Sequence, residues 1–246
     1  NPSEALETNV VGSHNVIKAA ILRDVPRVMF ISTDKAVNPV NFYGITKACM
    51  EKLAIGGNVY AHADIPGRSK TGISVCRYGN VFASRGSVSH IFYEQARKGK
   101  PITLVDETMT RFNIPVGQAV DFVLTHLCNF QPGVVWIPRL SAYSLGDLAT
   151  VFQQRFAVGR ETLPVRGWEK RHESLIAEHE LANTALFDAD TYCILSPYLQ
   201  YDETFVRGIH RVEGVPSDAV SDTTARMSTA QITDMVTAFL SECQQR

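Results

Sequence analysis

The sequence predicts an α/β fold built on a parallel sheet, because helical segments alternate with short apolar strands in its N-terminal part. An amphipathic helix over residues 2–22 precedes an apolar strand at 27–31. A second helix over 43–61 precedes a strand at 73–78. Helix-then-strand units that repeat in this way bury their strands in a parallel sheet. The chain has 246 residues, 45% of them apolar, which is enough for one large domain or two small ones.

Capping residues mark the first helix of this pattern. Asn1 can cap the helix, Pro2 suits its first turn, and the tripeptide at 24–26 (DVP) ends it. The apolar run at 28–31 is continuous rather than alternating, as expected of a strand that is covered on both faces. We therefore expect this strand to be buried.

The rest of the chain is predicted less evenly. Further helices are predicted over 88–97, 116–130, 145–156 and 229–242, with a short strand at 134–137. Ser228 and Gln231 have the spacing of a capping box at the start of the last helix. The segment 160–222 mixes loops, charges and short apolar runs, and a polar loop rich in Pro and Gly covers 64–72.

Composition excludes several classes of partner. The net charge is −1 and the pI about 6.7, so no basic surplus favours nucleic acid or an anionic membrane. No apolar run is long enough to span a bilayer. The five cysteines are scattered without a C-x-x-C pair, as in reduced cytoplasmic proteins, and the histidines show no zinc-ligand spacing. We expect a cytoplasmic protein without a metal.

Groups capable of proton transfer are concentrated in the stretch 31–47. Tyr43 and Lys47 are four residues apart on a predicted helix and share one face. A free tyrosine has a pKa of about 10, so a neighbouring ammonium that favours phenolate would make it a better base. The spacing Y-x-x-x-K is also common by chance on amphipathic helices, and alone it favours a structural interpretation.

Asp34 and Lys35 directly follow the first strand, where ligands gather in α/β sheets. They supply a potential acid and base, and a hydroxyl of Ser32 or Thr33 could orient a substrate alcohol. An Asp-Lys pair is a frequent surface feature by itself. Its position after the strand and before the tyrosine helix favours a site.

Six motifs in order resemble the nucleotide-sugar 4,6-dehydratases of the polysaccharide-biosynthesis group, within the extended short-chain dehydrogenase/reductases. The motifs are TNVVGSHNVIKAA (8–20), STDKAVNP (32–39), YGITK (43–47), RYGNV (77–81), SRGS (84–87) and MTRF (109–112). The Thr-Asp-Lys triplet and the retained Tyr43 are most similar to inverting enzymes that act on UDP-N-acetylglucosamine and begin pseudaminic acid biosynthesis.

This resemblance implies a Rossmann-type parallel sheet with a smaller mixed α/β substrate-binding lobe. Residues 1–98 would form the C-terminal half of the NAD(P)-binding domain. Residues 99–246 would form mainly the nucleotide-sugar-binding lobe, with 116–137 packing back on the first domain. The implied cofactor is NADP, with NAD as the alternative, and the implied partners are a UDP-sugar and further copies of the chain in a homo-oligomer. No G-x-G-x-x-G follows a strand here, so we expect the pyrophosphate-binding turn of the family to be missing.

The resemblance also implies catalytic roles. Tyr43 would accept the proton of the sugar 4-hydroxyl, while Lys47 would hold the nicotinamide ribose and lower the Tyr43 pKa. Lys35 would remove the C5 proton, Asp34 would protonate the departing 6-hydroxyl, and Thr33 would hydrogen-bond O4.

Binding residues follow from the same resemblance. The cofactor would be bound by Ile31, Ser32, Tyr43, Lys47, Asn80 and Val81. The nucleotide sugar would be bound by Asn80, Ser87, Arg111, Arg166 and Glu169. Arg111 and Arg166 suit the diphosphate, because a planar guanidinium donates two hydrogen bonds to such a group.

Two other functions stay open at this point. A UDP-sugar C4 epimerase needs only oxidation and hydride return at C4, and Asp34 and Lys35 argue against it. A non-catalytic nucleotide-sugar-binding module is the third hypothesis.

Overall fold

The computed structural model describes residues 1–61, 70–164 and 167–244. The helices are α1 (Pro2–Leu6), α2 (Ser13–Leu22), α3 (Phe42–Ala61), α4 (Val88–Ala96), α5 (Val116–Cys128), α6 (Leu145–Phe156), α7 (Glu203–Arg207) and α8 (Thr229–Gln244). The strands are β1 (Arg27–Thr33), β2 (Gly72–Tyr78), β3 (Asn80–Val81), β4 (Ile102–Leu104), β5 (Thr110–Ile114), β6 (Val134–Pro138), β7 (Ala142–Ser144), β8 (Arg160–Thr162), β9 (Thr184–Asp188), β10 (Thr191–Leu195) and β11 (His210–Arg211).

The central sheet has the strand order β1-β2-β6-β10-β9-β11. β1, β2 and β6 are parallel, whereas β10 is antiparallel to both β6 and β9. Alternate residues of β2 belong to two different cores: Ile73 and Val75 pack with α2 and α3, and Cys76 packs with residues of α5. Helices therefore cover both faces of this mixed sheet, and the predicted α/β class is confirmed.

The prediction that the first strand is buried was wrong. β1 forms an edge of the sheet, since among the described residues it pairs with β2 alone. Ile31 is 39% exposed, while every residue of β2 from Gly72 to Arg77 is buried. An apolar run indicates that both faces of a strand are apolar. It does not indicate whether the strand lies in the centre or at the edge of the sheet.

The first predicted helix is present but is not a regular α-helix. The Asn1 side chain caps α1 by accepting a hydrogen bond from the Ser3 backbone N–H at 3.2 Å. A π-helical segment, Glu7–Gly12, separates α1 from α2. Within it, Asn9 donates to the Thr46 hydroxyl at 3.1 Å, which ties this helix to α3. The extra residue of a π turn has no periodic signature over so short a length.

The four strands described in the segment 160–222, β8 to β11, were not predicted. β9 and β10 form a hairpin that extends the central sheet beyond β6. Its turn is polar, and the Asp190 N–H donates to Asp188 Oδ1 at 2.9 Å. Charged residues close to the strand ends interrupt the apolar pattern, so the sequence did not indicate strands here. The runs form strands because β10 pairs with the edge of β6 and β9 pairs with β10.

A second apolar core lies among α4, α6, α8 and β4. Phe92, Phe152 and Phe239 belong to it, and the predicted helices of this region were confirmed to within a few residues. The predicted capping box of α8 was also confirmed. The Ser228 N–H donates to Gln231 Oε1 at 2.8 Å, and the Gln231 N–H donates to Ser228 Oγ at 3.3 Å.

A buried ion triad joins three parts of the chain. Arg77 in β2 donates to Glu51 of α3 at 2.6 Å and to Glu180 at 2.7 Å, and Glu180 lies in a short 3-10 helix, Glu178–Asn183. All three side chains are buried. Burial raises the pKa of Glu180, but the charge and hydrogen bonds of Arg77 outweigh burial and lower it. The triad therefore holds charged groups in the interior by mutual pairing.

Each helix in the described ranges is too short or too polar to cross a bilayer. The Gly/Pro-rich loop predicted at 64–72 falls largely outside the described residues, which resume at residue 70.

Candidate active site

An acid and a base are in direct contact at the carboxyl end of β1. Asp34 is 0% exposed, and its Oδ1 accepts hydrogen bonds from the Thr33 hydroxyl at 2.9 Å and the Lys35 ammonium at 3.0 Å. Thr33 caps the following 3-10 turn, Asp34–Ala36, which turns the chain so that adjacent side chains can meet. Asp34 Oδ2 has no hydrogen-bond partner in the described part of the chain.

Lys35 also reaches the strand that follows β2. Its ammonium donates to Asn80 Oδ1 at 2.9 Å, across 45 positions of sequence. Two residues predicted for different tasks are thus in contact. Lys35 is bound by two acceptors, and its side chain is still 31% exposed.

Tyr43 and Lys47 lie on the first turns of α3, as the sequence predicts. Tyr43 is 46% exposed, and Lys47 Nζ donates to the Ile31 carbonyl at 2.5 Å. Burial raises the pKa of Tyr43, Lys35 opposes that rise, and Asp34 adds to it. Burial lowers the pKa of Lys47, against the effect of Glu51.

The cation that opposes the rise in the Tyr43 pKa is therefore Lys35, not Lys47 as expected. The Lys47 ammonium is turned to the Ile31 carbonyl, which satisfies one of its three donors. A spacing of four residues places two side chains on one face of a helix. It does not fix the end of a long, flexible lysine side chain, which can donate to an acceptor elsewhere.

Gly44 allows α3 to approach this site closely. A Cβ on Gly44 would lie 2.3 Å from the Lys35 carbonyl oxygen and 3.0 Å from Pro39 Cβ. Because backbone is in the way, we expect Gly44→Ala to destabilise the protein by about 1–3 kcal/mol, measured by urea unfolding. A Cβ added to Gly56, in the same helix, would meet no described atom within 4 Å. Gly56→Ala is the matched control, and it should stabilise by about 0.4–1 kcal/mol. Equal effects of the two substitutions would contradict this account of Gly44.

A cavity of about 450 Å³ opens beside Lys35. It brings together five of the predicted residues: Lys35, Asn80, Ser87, Arg111 and Glu169. Ile31, Ser32, Thr33, Asp34, Tyr43, Lys47 and Val81 do not line it. Arg166 lies outside the described residues.

The walls of this cavity suit an anionic group. Ser87 precedes α4, whose first backbone N–H groups can donate to an anion, and the Ser87 hydroxyl has Ser89 Oγ at 2.8 Å. Arg111 adds a guanidinium, which donates to the carbonyls of Thr110 at 2.8 Å and Arg171 at 3.2 Å. These two bonds to the backbone fix the orientation of the group.

Glu173 is a member of the cavity wall that the sequence interpretation missed. It is 4% exposed, and its Oε2 has no hydrogen-bond partner among the described residues, with Lys170 Nζ 3.6 Å away. Burial and the charge of Asp34 raise the pKa of Glu173, while Lys35, Arg111 and Lys170 oppose the rise. The available signal was an acidic residue two positions before the apolar run Leu175–Ala177.

The edge of β1 next to Tyr43 fits a nicotinamide cofactor. Ser32 is 2% exposed, and its hydroxyl has no hydrogen-bond partner within the described ranges. Ile31, next to it in sequence, and Tyr43, at the start of α3, are exposed. The Ser32 hydroxyl can therefore accept a polar partner from a ligand, while Ile31 and Tyr43 offer an apolar and a phenolic surface.

Comparisons with known proteins identify the family and several relatives that act on nucleotide sugars. The family model described as polysaccharide biosynthesis protein matches residues 1–194. The UDP-glucose 4-epimerase of Rickettsia rickettsii (strain Sheila Smith) is 36% identical over 238 residues, which cover 96% of this chain and 68% of the relative.

Two solved structures illustrate the fold. Pen from Bacillus thuringiensis superposes with a TM-score of 0.82 at 29% identity, over 97% of this chain and 70% of Pen. UDP-glucuronic acid 4-epimerase from Bacillus cereus, in complex with UDP-glucuronic acid and NAD, has a TM-score of 0.59 at 15% identity, over 95% of this chain and 68% of that one. At that identity the second likeness shows the fold alone, which is of the Rossmann type.

Proposed function

Because the chain belongs to the polysaccharide biosynthesis protein family, whose model matches residues 1–194, we propose that it is a UDP-N-acetylglucosamine 4,6-dehydratase. The product is a UDP-4-keto-6-deoxy-hexosamine inverted at C5, and the cofactor is tightly bound NADP, with NAD as the alternative. The reaction serves surface-glycan biosynthesis of the pseudaminic acid type. Residues 1–98 supply the cofactor side of the site and 99–246 mainly the sugar side.

The contact between Asp34 and Lys35 carries this proposal. Removal of a proton from C5 and loss of the 6-hydroxyl require a base and an acid on neighbouring atoms of the sugar. The two side chains meet at 3.0 Å, and Lys35 also lines the cavity. Exchange of configuration at C4 needs neither group.

Tyr43 and Lys47 act at C4. Tyr43 accepts the proton of the 4-hydroxyl, and Thr33 holds O4. The cofactor, when bound, supplies hydride acceptance from C4 and hydride return to C6. The residues that would hold it are Ile31, Ser32, Tyr43, Lys47, Asn80 and Val81.

Asp34 and Lys35 act at C5 and C6. A shift of one proton from the Lys35 ammonium to the Asp34 carboxylate, across their hydrogen bond, leaves an amine base and a carboxylic acid. The two groups are already joined by a hydrogen bond of 3.0 Å, which is the path of this proton. Lys35 then takes the C5 proton, and Asp34 gives its proton to the departing hydroxyl, which leaves as water. The pair ends the elimination as the ion pair with which it began. After hydride return to C6, C5 takes a proton from solvent on the face opposite Lys35, which inverts that centre and balances the proton that Tyr43 took from the 4-hydroxyl.

The UDP part is bound by the remaining predicted residues. Arg111 and Arg166 bind the diphosphate, Glu169 accepts from the uridine ribose, and Ser87 with the start of α4 adds N–H and O–H donors. Asn80 contacts both the sugar and the cofactor.

The alternative is a UDP-sugar C4 epimerase. One observation favours it: the Rickettsia rickettsii relative, 36% identical, is named a UDP-glucose 4-epimerase. In that reaction Tyr43 and Lys47 would suffice, and Asp34 and Lys35 would have no proton to move.

Product analysis separates the two reactions. The cofactor-loaded protein is incubated with UDP-N-acetylglucosamine, and the products are identified by mass spectrometry and NMR. We expect a product that has lost one water and carries a 4-ketone. A C4 epimer of unchanged mass as the sole product would establish the alternative instead.

A further inference from the structure

Glu173 has no task in the proposed reaction, although it lines the cavity that holds Lys35 and Asn80. Its side chain is almost fully buried, yet one carboxylate oxygen lacks any hydrogen bond in the described part of the chain. Buried polar atoms in folded proteins nearly always have a partner, so an orphan in a cavity wall indicates a partner that comes from outside the chain.

The cations around Glu173 are engaged elsewhere. Lys170 Nζ forms an ion pair with Glu173 Oε2 at 3.6 Å, which is beyond hydrogen-bond distance, and it donates its hydrogen bond to the Val37 carbonyl. Lys35 is held by two other acceptors, and Arg111 donates to two backbone carbonyls. None of these three cations therefore donates a hydrogen bond to the Glu173 carboxylate, and the ion pair with Lys170 leaves Oε2 able to accept one.

The backbone at Glu173 is firmly held. Its N–H donates to Ser221 Oγ at 2.8 Å, and its carbonyl accepts from the Ser221 N–H at 2.9 Å. The Ser221 hydroxyl is linked in turn to Thr110 Oγ1 at 2.7 Å. A carboxyl on so rigid a support is suited to recognition, because little conformational freedom is lost when it binds.

Glu173 also lies within electrostatic reach of the groups that act on C5 and C6. Asp34 raises its pKa, and Lys35 opposes that rise. Because Lys35 and Glu173 line the same cavity, a sugar that occupies it can contact both side chains.

We propose that Glu173 contacts the hexose directly, accepting a hydrogen bond from a sugar hydroxyl or amide N–H, and thereby determines which nucleotide sugar is accepted. This inference rests on the proposed function, because it requires a nucleotide sugar in the cavity.

Binding of UDP and of UDP-N-acetylglucosamine, measured by calorimetry on the cofactor-loaded protein, tests the inference. In Glu173→Gln we expect UDP-N-acetylglucosamine to bind about tenfold more weakly and UDP to bind unchanged, since only the sugar meets Glu173. Glu173→Asp keeps a buried carboxyl but withdraws it by one methylene, and it should show the same sugar-specific loss. Glu178→Gln, in the same segment but exposed, is the control and should change neither affinity.

Analogues identify the contact. The series consists of UDP-hexoses that each lack one hydroxyl or the acetamido group. One of these analogues should bind the wild type more weakly than UDP-N-acetylglucosamine does, but should bind Glu173→Gln as tightly as UDP-N-acetylglucosamine does. Equal weakening of UDP and UDP-N-acetylglucosamine, or slower turnover with unchanged affinities, would overturn the inference. If the wild type does not bind UDP-N-acetylglucosamine, or removes no water from it, the proposed function itself fails; if the wild type does both and Glu173→Gln shows no defect, the proposed function stands and the inference fails.

Discussion

Lys35→Ala should abolish dehydration, with a loss of about 10³-fold or more in turnover, while oxidation at C4 continues. A positioned acid or base commonly contributes about 10²–10⁴-fold, and here the substitution removes the base and also the proton that Asp34 receives from it. Tyr43 and Lys47 remain in place. The variant should therefore accumulate reduced cofactor, seen by its absorbance, without release of water from the sugar.

The residual oxidation should require a higher pH than in the wild type. Lys35 opposes the rise in the Tyr43 pKa, so its removal leaves that pKa higher still. Lys98→Ala, which removes an exposed lysine paired with Glu94 on the surface, is the control and should leave turnover unchanged. Near-normal dehydration by Lys35→Ala would remove Lys35 from its role.

Arg77→Leu should lower the free energy of unfolding by about 3–5 kcal/mol, because it leaves the buried carboxylates of Glu51 and Glu180 without their cationic partner. The matched control is Arg97→Leu. Arg97 donates to Glu94 at 2.7 Å, the same distance as between Arg77 and Glu180, but on the surface, with 51% of its side chain exposed. Its loss should cost no more than about 1 kcal/mol. Urea unfolding of both variants gives the comparison, and equal costs would contradict the importance of burial.

The pH dependence of this defect has a defined sign. In the wild type Arg77 holds the pKa of Glu180 below its ordinary value of 4.5, so this group stabilises the protein above that pH and its contribution is lost as pH falls through the lowered pKa. Without Arg77, burial is opposed only by the Ala177 backbone N–H and the charge of Lys52, so we expect the pKa of the same carboxyl to rise. The variant should therefore recover part of its deficit when the pH is lowered from about 7 toward about 5, and a deficit that is constant over this range would contradict the assignment.

Local signals predicted most of the helices and the three parallel strands of the central sheet, β1, β2 and β6. The capping box of Ser228 and Gln231, the helix that carries Tyr43 and Lys47, and the buried strand β2 depend on residues close in sequence. Periodicity and capping are such short-range properties, and they were read correctly.

The features that the sequence did not predict depend on contacts between distant parts of the chain. The edge position of β1 and the hairpin of β9 and β10 depend on which strands flank them, and that information is not local. In the site, the contact of Lys35 with Asn80 crosses 45 positions. Glu173 became visible only once folding had buried its carboxyl without a partner among the described residues.

The central claim is that Asp34 and Lys35 move protons at C5 and C6, and the fate of the C5 hydrogen tests it most directly. The cofactor-loaded protein is incubated with UDP-N-acetylglucosamine in deuterated water, and the product is examined by NMR. We expect a 4-keto-6-deoxy sugar that carries deuterium at C5 in the inverted configuration. A product that retains its original hydrogen at C5 would contradict it.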